Sequence, residues 1–278
     1  MSTDRCLVMG ILNRTPDSFY DGGRTSLEDA RKHALAMVEA GADIVDVGGV
    51  KAGPGGEVAE AEELDRVVPL IEAIRAEVPD DLDISVETAR PVVARSALAA
   101  GATIVNDVTG LADPSLAAVC ADAGARLILM HNGAQIRGRP RNPRYGDVVD
   151  DVLQTWSRLI EVATEQGMPA DALVVDNGLD FGKTTYHSLE LMRRLPEQVA
   201  FGYPVLVAPS RKDVVGETLD LPLEERLEGT LALVALAVAN GAAIVRVHDV
   251  EATIRVVAMA EAVMGRRPPR APIRGLWE

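Results

Sequence analysis

Cysteine, aromatic residues and positive charge are all scarce in this chain of 278 residues. The two cysteines, Cys6 and Cys120, lie far apart and form no CxxC motif, which argues against a disulfide framework or a zinc site and favours a reducing, cytoplasmic location. Aromatic residues make up 3% of the chain, too few for a surface that stacks nucleic-acid bases. Lys and Arg total 28 against 42 Asp and Glu, and the net charge of −14 disfavours nucleic acid and anionic membranes as partners.

Long apolar runs are also lacking, and we expect no leader segment. The longest apolar run, at residues 231–239, is far shorter than the ~20 residues of a membrane-spanning helix. The N-terminus has no apolar stretch behind a basic start. We therefore expect no membrane anchor. Hydrophobic residues make up 47% of the chain, enough for a full core, and we expect residues 1–278 to form a single domain with a short C-terminal tail from about residue 266.

One short pattern recurs along the chain: a small residue, a glycine and an alanine directly before a β-branched run. The glycines are Gly41, Gly101, Gly124 and Gly241. Each is expected to end a helix in the left-handed conformation, just before a buried parallel strand. With four further apolar runs, the pattern predicts eight strands, at residues 6–12, 43–47, 83–86, 103–106, 126–130, 172–175, 205–207 and 243–247. Eight βα units that close on themselves make an α/β fold, a single (β/α)8 TIM barrel.

The segments between these strands are typical of helices. Residues 26–38 begin with a Ser-x-x-Asp cap pattern, and residues 91–98 and 231–239 are rich in Ala, Val and Leu, as helices packed on a sheet are. An open, doubly wound sheet is the alternative fold. No Gly-x-Gly-x-x-Gly motif follows the first strand, which disfavours that alternative.

Polar residues occur at the end of almost every predicted strand, where barrel enzymes carry their chemistry. They are Asn13, Asp46, Glu87, Asn106, Asp107, Met130 with His131, Asp176, Ser210 to Lys212, Arg246 and His248. The cationic group of Arg211, Lys212, Arg246 and His248 predicts an anionic ligand. The acceptors Glu87, Asn106 and Asp176 suit a flat heterocycle with a guanidine-like edge. Alternatively, these charges neutralise one another as ion pairs.

Two further residues have open interpretations. His131 either lines the pocket or caps the fifth strand. Lys183 either contacts a ligand or supports the loop that follows Asp176.

These blocks resemble the dihydropteroate synthase family. The opening signature is MGILNRTPDSFYDGG at residues 9–23, and the others are DVGG (46–49), NDVTG (106–110), LMH (129–131), DNGLDFGK (176–183), SRK (210–212) and RVHDV (246–250). They follow the family's order, and the similarity extends from about Cys6 to Met264. The resemblance implies a barrel that joins 4-aminobenzoate to 6-hydroxymethyl-7,8-dihydropterin pyrophosphate, releasing pyrophosphate in folate synthesis. A cytoplasmic homodimer is the expected assembly.

The resemblance also implies roles for individual residues. Asp176, Lys212 and Asp21 are expected to be catalytic. The pterin is expected to contact Glu87, Asn106, Asp176, Lys212, Met130 and Arg211. Asn13, Arg246 and His248 are expected to hold the pyrophosphate with Mg²⁺, for which Asn13 is the protein ligand. Phe19, Pro54 and Asp213 are expected on the aminobenzoate side.

Several positions depart from the family pattern. Residues 50–55 read VKAGPG where the family commonly has ESTRPG, so the second loop lacks its arginine, and Lys51 does not reproduce the guanidinium fork. Glu87 stands where the family has Asp and is one methylene longer. Asp213 stands where Ser or Arg is common, and an unneutralised carboxylate there would repel aminobenzoate.

Because of these departures, a divergent pterin-binding paralogue with weak, altered or no synthase activity is the alternative function. A pterin-dependent methyltransferase is a more distant one, because it would not need the SRK and RVHDV blocks.

Overall fold

The computed structural model describes residues 5–14, 26–50, 58–133 and 143–274. The strands are β1 (Leu7–Asn13), β2 (Ile44–Gly48), β3 (Asp83–Glu87), β4 (Ile104–Asp107), β5 (Arg126–Met130), β6 (Leu173–Asp176), β7 (Val205–Val207) and β8 (Ile244–Val247). The helices are α1 (Leu27–Glu39), α2 (Glu60–Arg75), α3 (Pro91–Ala99), α4 (Ser115–Ala123), α5 (Val148–Glu165), α6 (Thr185–Arg193), α7 (Leu195–Val199), α8 (Asp213–Leu219), α9 (Leu227–Ala239) and α10 (Val250–Val263).

All eight strands are parallel and close into a barrel in chain order, with β1 pairing to both β2 and β8. This confirms the predicted (β/α)8 architecture and excludes the doubly wound sheet. The predicted strands are correct to within one or two residues at each end. No helix among the described ranges is long and apolar enough to cross a membrane.

The helix ends follow from the recurring glycine pattern. Gly41, Gly101, Gly124 and Gly241 all have positive φ, between 65° and 110°. The Ser26 hydroxyl accepts a hydrogen bond from the Asp29 backbone amide and caps α1, as the sequence predicts. The four glycines turn the chain into the next strand.

Helix α9 is longer than its sequence indicates, because it begins at Leu227 instead of residue 231. The additional turn contains Gly229, a residue that normally weakens a helix. A Cβ atom at this position would lie 2.4 Å from Val215 Cγ1 of α8, so the absent side chain lets the two helices pack closely.

The barrel has two hydrophobic layers. One lies inside the barrel at its N-terminal end and includes Leu7, Met9, Ile44, Ile104 and Ile244. The other lies between strands and helices and includes Val8, Val45, Val86 and Val105. Because side chains alternate along a strand, the next inward positions beyond the first layer fall at the C-terminal mouth, where they are polar.

Candidate active site

The inward side of β2, β3, β4, β6 and β8 presents one charged or amide side chain each to the barrel mouth. These are Asp46, Glu87, Asn106, Asp176 and Arg246. All but Arg246 are fully buried, and Arg246 is 14% exposed at its side chain. The positions of polar residues at strand ends predict that these groups converge at one mouth, and the closed barrel brings these five together.

Arg246 forms the centre of an ion-pair cluster. Its Nε donates to Asp46 Oδ2 at 2.6 Å, and its Nη2 donates to Glu87 Oε2. Its Nη1 has no partner among the described residues. The alternative of mutual neutralisation at the mouth is thus correct for Arg246 and Glu87, and two acidic groups share a single guanidinium.

Asn106 extends this cluster and leaves hydrogen-bonding capacity unused. Its Nδ2 donates to Asp46 Oδ2 at 3.2 Å. Asn106 Oδ1, Asp46 Oδ1 and Ser85 Oγ are buried and have no partner within the described part of the chain. Buried polar atoms are normally paired, so these three indicate a place where a ligand or water donates hydrogen bonds. Asp46 and Ser85 were not among the predicted ligands, although their inward register follows from strand alternation.

Asp176 and Lys212 are held by the backbone of the loop between β6 and α6. The Gly178 amide donates to Asp176 Oδ1 at 2.7 Å, and Lys212 Nζ donates to the Leu179 carbonyl at 2.7 Å. Lys212 Nζ also lies 5.0 Å from the centre of the Phe181 ring. From the other side, Trp156 Nε1 donates to the Asp176 carbonyl at 3.1 Å. Backbone groups therefore hold both side chains in place. Asp176 and Lys212 do not form an ion pair with each other.

Burial and neighbouring charges shift the protonation of these groups. Burial raises the pKa of Glu87 to about 7, although Arg246 opposes the rise. Burial likewise raises the pKa of Asp176, against the charge of Lys212. Burial lowers the pKa of Lys212, against the charge of Asp176. For Arg246, burial favours a lower pKa, but Asp46 and Glu87 raise it overall, so the guanidinium stays charged.

The remaining predicted pyrophosphate and pterin residues lie around this cluster. Asn13 ends β1 half-buried, and a Cβ atom at Gly48 would lie 2.8 Å from its Oδ1. His248 follows β8, and its Nδ1 lies 2.8 Å from Ser210 Oγ. Burial and the charge of Arg246 lower the pKa of His248 to about 4, which makes its imidazole neutral at pH 7. Met130 is buried beside Asp176, its partner in the β5–β6 register.

Arg211, a predicted pterin ligand, forms several contacts within the protein. Its Nε and Nη2 donate to Asp249 at 3.0 and 2.9 Å, and its Nη1 donates to the carbonyls of Leu223 and Glu224 at 3.1 Å. The backbone has a positive φ of 53° at this residue. The guanidinium is therefore held in a network of the seventh and eighth units, and its contact with the pterin stays a prediction.

Asp213, predicted on the aminobenzoate side, forms an ion pair within the protein. Its Oδ1 accepts a hydrogen bond from Arg226 Nη1 at 3.2 Å. An arginine that precedes α9 thus neutralises this carboxylate, so the condition under which it would repel aminobenzoate is not met. The predicted residues Asp21, Phe19 and Pro54, and Lys51 to Gly55 of the second loop, lie outside the described residues.

His131 and Lys183 bind each other and other protein groups. His131 Nε2 lies 2.8 Å from Asp151 Oδ1, and its Nδ1 lies 2.7 Å from Lys183 Nζ. Lys183 is buried and donates to the carbonyls of Gly178 and Phe181. Of the open interpretations, the structure therefore supports the structural one for both residues.

The fold and mouth together define a barrel enzyme whose inward carboxylate, amide and basic groups suit a small, flat ligand rich in nitrogen. The chain belongs to the family of pterin-binding enzymes, whose profile matches residues 9–248.

A protein of Mycobacterium tuberculosis called inactive dihydropteroate synthase 2 is 48% identical over 98% of this chain and 87% of its own length. The dihydropteroate synthase of Synechocystis is 45% identical over 93% of this chain and 90% of its own. A crystal structure of Yersinia pestis dihydropteroate synthase in a sulfonamide drug complex aligns with a TM-score of 0.91 at 38% identity, covering 96% of this chain and 97% of that one.

Proposed function

We propose that this chain is a dihydropteroate synthase-type transferase, which condenses 6-hydroxymethyl-7,8-dihydropterin pyrophosphate with 4-aminobenzoate. The products are 7,8-dihydropteroate and pyrophosphate. The observation that carries the proposal is the convergence of Glu87, Asn106, Asp176, Lys212 and Arg246 at one barrel mouth. Family membership and the solved relative point to the same reaction.

The pterin ring fits the acceptors of the mouth. Asp176 offers its carboxylate and Asn106 its free Oδ1 to the ring's N–H groups, while Lys212 donates to a ring oxygen or nitrogen. Met130 provides an apolar contact for the ring beside Asp176. Glu87 contributes a further acceptor once Arg246 gives up that contact.

The pyrophosphate belongs on the other side of the mouth, near Asn13, Arg246 and His248. Arg246 keeps its charge and has Nη1 available for a phosphate oxygen. His248 is neutral at pH 7 and contributes a hydrogen bond instead of a charge.

Mg²⁺ fits this side with a single protein ligand. The described residues contain no group of three or more His, Cys, Asp or Glu side chains that could hold a metal ion. Mg²⁺ commonly binds through one or two protein oxygens together with phosphates and water, and the Asn13 amide oxygen would serve as that ligand. When bound, the ion supplies positive charge to the leaving pyrophosphate.

The reaction breaks the bond between the pterin methylene carbon and the pyrophosphate oxygen and forms a bond from that carbon to the arylamine nitrogen, which then loses a proton. Positive charge develops on the methylene as the leaving group departs. Asp176 and the ionised form of Glu87 stabilise that charge, and Arg246 stabilises the departing anion. No covalent enzyme intermediate is required. Asp21, Phe19 and Pro54 are proposed to close over the aminobenzoate.

A turnover assay tests the proposal. Purified protein with the pterin pyrophosphate, 4-aminobenzoate and Mg²⁺ should release pyrophosphate and form dihydropteroate. Absence of turnover at high enzyme concentration, with a working synthase as positive control, rejects synthase activity.

A second candidate is a pterin-binding paralogue with weak, altered or no synthase activity. Two observations favour it: the 48% identity to a mycobacterial relative that is called inactive, and the VKAGPG sequence of the second loop. Calorimetry should then show binding of the pterin pyrophosphate, with little increase in affinity when aminobenzoate is added.

A substitution in the second loop tests the cause of such a deficit. If the missing guanidinium causes it, Gly53→Arg should raise turnover, and the matched control Gly53→Ala should not.

We also propose that the protein is a cytoplasmic homodimer. Met259 and Val263 of α10 are 66% and 72% exposed, and Leu236 of α9 is 53% exposed, so these helices present apolar side chains that a second copy could cover. Light scattering coupled to size-exclusion chromatography should give twice the mass of one chain. Met259→Lys should shift that mass toward the monomer, and a monomeric wild type contradicts the proposal.

A further inference from the structure

Lys183 is a buried lysine that the proposed chemistry does not use. It is only 6% exposed, and its Nζ donates to the carbonyls of Gly178 and Phe181, both at 2.9 Å, and of His131 at 3.2 Å. The same nitrogen lies 2.7 Å from His131 Nδ1. An ammonium group has three protons, so these acceptors fully satisfy it without any ligand. Lys183 therefore serves, in place of water, as the hydrogen-bond donor to the carbonyls of Gly178 and Phe181 in the loop between β6 and α6.

The loop that Lys183 supports carries both backbone groups that orient the charged pterin residues. The Gly178 amide binds Asp176, and the Leu179 carbonyl binds Lys212. Three positive φ angles shape this loop, at Gly178, Asp180 and Gly182. A Cβ atom at Gly178 would lie 2.0 Å from the His131 carbonyl oxygen, so the loop packs directly on the end of β5. A shift of the loop would consequently move the groups that fix Asp176 and Lys212.

Lys183 is itself held by a chain of contacts that reaches the surface. Its ammonium donates to His131 Nδ1, which leaves the imidazole proton on Nε2 to donate to Asp151 Oδ1. Burial and the charge of Lys183 lower the pKa of His131 to about 4, consistent with a neutral ring. The Asp151 side chain is 49% exposed on α5. The chain of contacts thus connects α5 to the loop through two buried side chains.

We propose that Lys183 is a positioning residue for the pterin: through Gly178 and Leu179 it keeps the Asp176 carboxylate and the Lys212 ammonium in the orientation that the ring requires. The proposal rests on the proposed function, because the ligand is taken to be a pterin. It differs from a purely structural role in one measurable way. A structural residue affects how much protein is folded, whereas a positioning residue affects pterin affinity of the protein that is folded.

Lys183→Met tests this directly, because methionine keeps much of the lysine stem and removes the donor. At a temperature where circular dichroism shows the variant folded, its affinity for 6-hydroxymethyl-7,8-dihydropterin pyrophosphate should fall at least tenfold by calorimetry. Glu261→Gln is the matched control: this buried glutamate accepts from the Cys6 amide at the opposite end of the barrel, and its replacement should leave affinity unchanged. Wild-type affinity in folded Lys183→Met overturns the proposal.

Hydrogen exchange without added ligand separates this inference from the proposed function. The amides of residues 177–184 should exchange at least tenfold faster in Lys183→Met than in the wild type, while those of α3 should not change. Unchanged exchange in the loop overturns the positioning role. If the wild type binds no pterin, the proposed function is rejected. The exchange measurement then still shows whether Lys183 orders the loop.

A second variant covers the case in which Lys183→Met does not fold. Asp151→Asn alters a half-exposed residue and removes only the charge that holds His131. Its pterin affinity should fall about threefold to tenfold, with faster exchange at residues 177–184. Wild-type values for both measurements would contradict the proposal.

Discussion

The two sides of the barrel mouth hold their charges in different ways. On the side of β2, β3 and β8, Arg246 contacts the carboxylates of Asp46 and Glu87 directly. On the side of β6 and β7, backbone groups of one loop hold Asp176 and Lys212 separately. A directly paired charge must exchange partners before it binds a ligand, whereas a charge fixed by the backbone is already available. We therefore expect substitutions on the first side to affect stability as well as binding, and substitutions on the second side to affect mainly binding.

The largest expected effect is on stability at the paired side. Arg246→Leu leaves two buried carboxylates without their cation, and we expect a loss of about 3 to 5 kcal/mol in the free energy of unfolding, measured by urea denaturation. Arg255→Leu is the control, because the Arg255–Glu251 pair is more than 70% exposed on both sides and should contribute less than about 1 kcal/mol. If both variants lost the same free energy of unfolding, the Arg246 cluster would contribute no more to stability than an exposed ion pair does.

At the backbone-held side the main effect should be on binding. Asp176→Asn retains an oxygen for the Gly178 amide but loses the charge, so we expect about 100-fold weaker pterin binding, near 2.7 kcal/mol, with little change in stability. Calorimetry and urea denaturation on the same sample measure both quantities. A large loss of stability with nearly unchanged affinity would reverse the roles of the two sides.

The pH dependence of stability should also differ between the sides. Glu87 has a folded pKa of about 7, above its ordinary value of 4.5, so its contribution is complete below pH 4.5 and is lost as the pH rises to 7. Lys183 has a folded pKa of about 7, mainly because burial lowers it from 10.5, so its contribution is complete above pH 10.5 and is lost as the pH falls to 7. Relative to the wild type, Glu87→Gln should remove the fall in stability as the pH rises from 4.5 to 7, and Lys183→Met should remove the gain in stability as the pH rises from 7 to 10.5. Parallel pH profiles for the wild type and both variants would contradict these assignments.

The smallest effect is expected at Asp213. Because Arg226 pairs with this carboxylate, Asp213→Ser should change the KM for 4-aminobenzoate less than about threefold. Asp220→Ser, at the far end of α8, is the control. A tenfold drop in KM in Asp213→Ser alone would show that the carboxylate repels the substrate despite Arg226.

Much of this arrangement could be predicted because it depends on local rules. The glycine caps and the alternation of apolar residues place the eight strands, and strand ends place Glu87, Asn106 and Asp176 at the mouth. The contacts between side chains from distant units could not be predicted in the same way. Asp46 and Arg246 are 200 positions apart in sequence, and their pairing depends on the closure of the barrel.

Arg211 shows a second limit. Its motif suggests a ligand, but a positive φ at a residue other than glycine has no reliable sequence signal, and the contacts with Asp249 depend on how the seventh and eighth units pack. For Lys183, the sequence allows both a ligand contact and support of the loop after Asp176. Nothing in the sequence indicates that three carbonyl groups of two loops converge on its ammonium.

The hydrogen bond from Trp156 to the Asp176 carbonyl has a spectroscopic consequence. The chain has two tryptophans, Trp156 and Trp277, so Trp277→Phe leaves a single indole that is completely buried. Its fluorescence would report directly on the strand that carries Asp176. Quenching or energy transfer to a bound pterin could then be followed in real time by stopped flow, without attaching any dye.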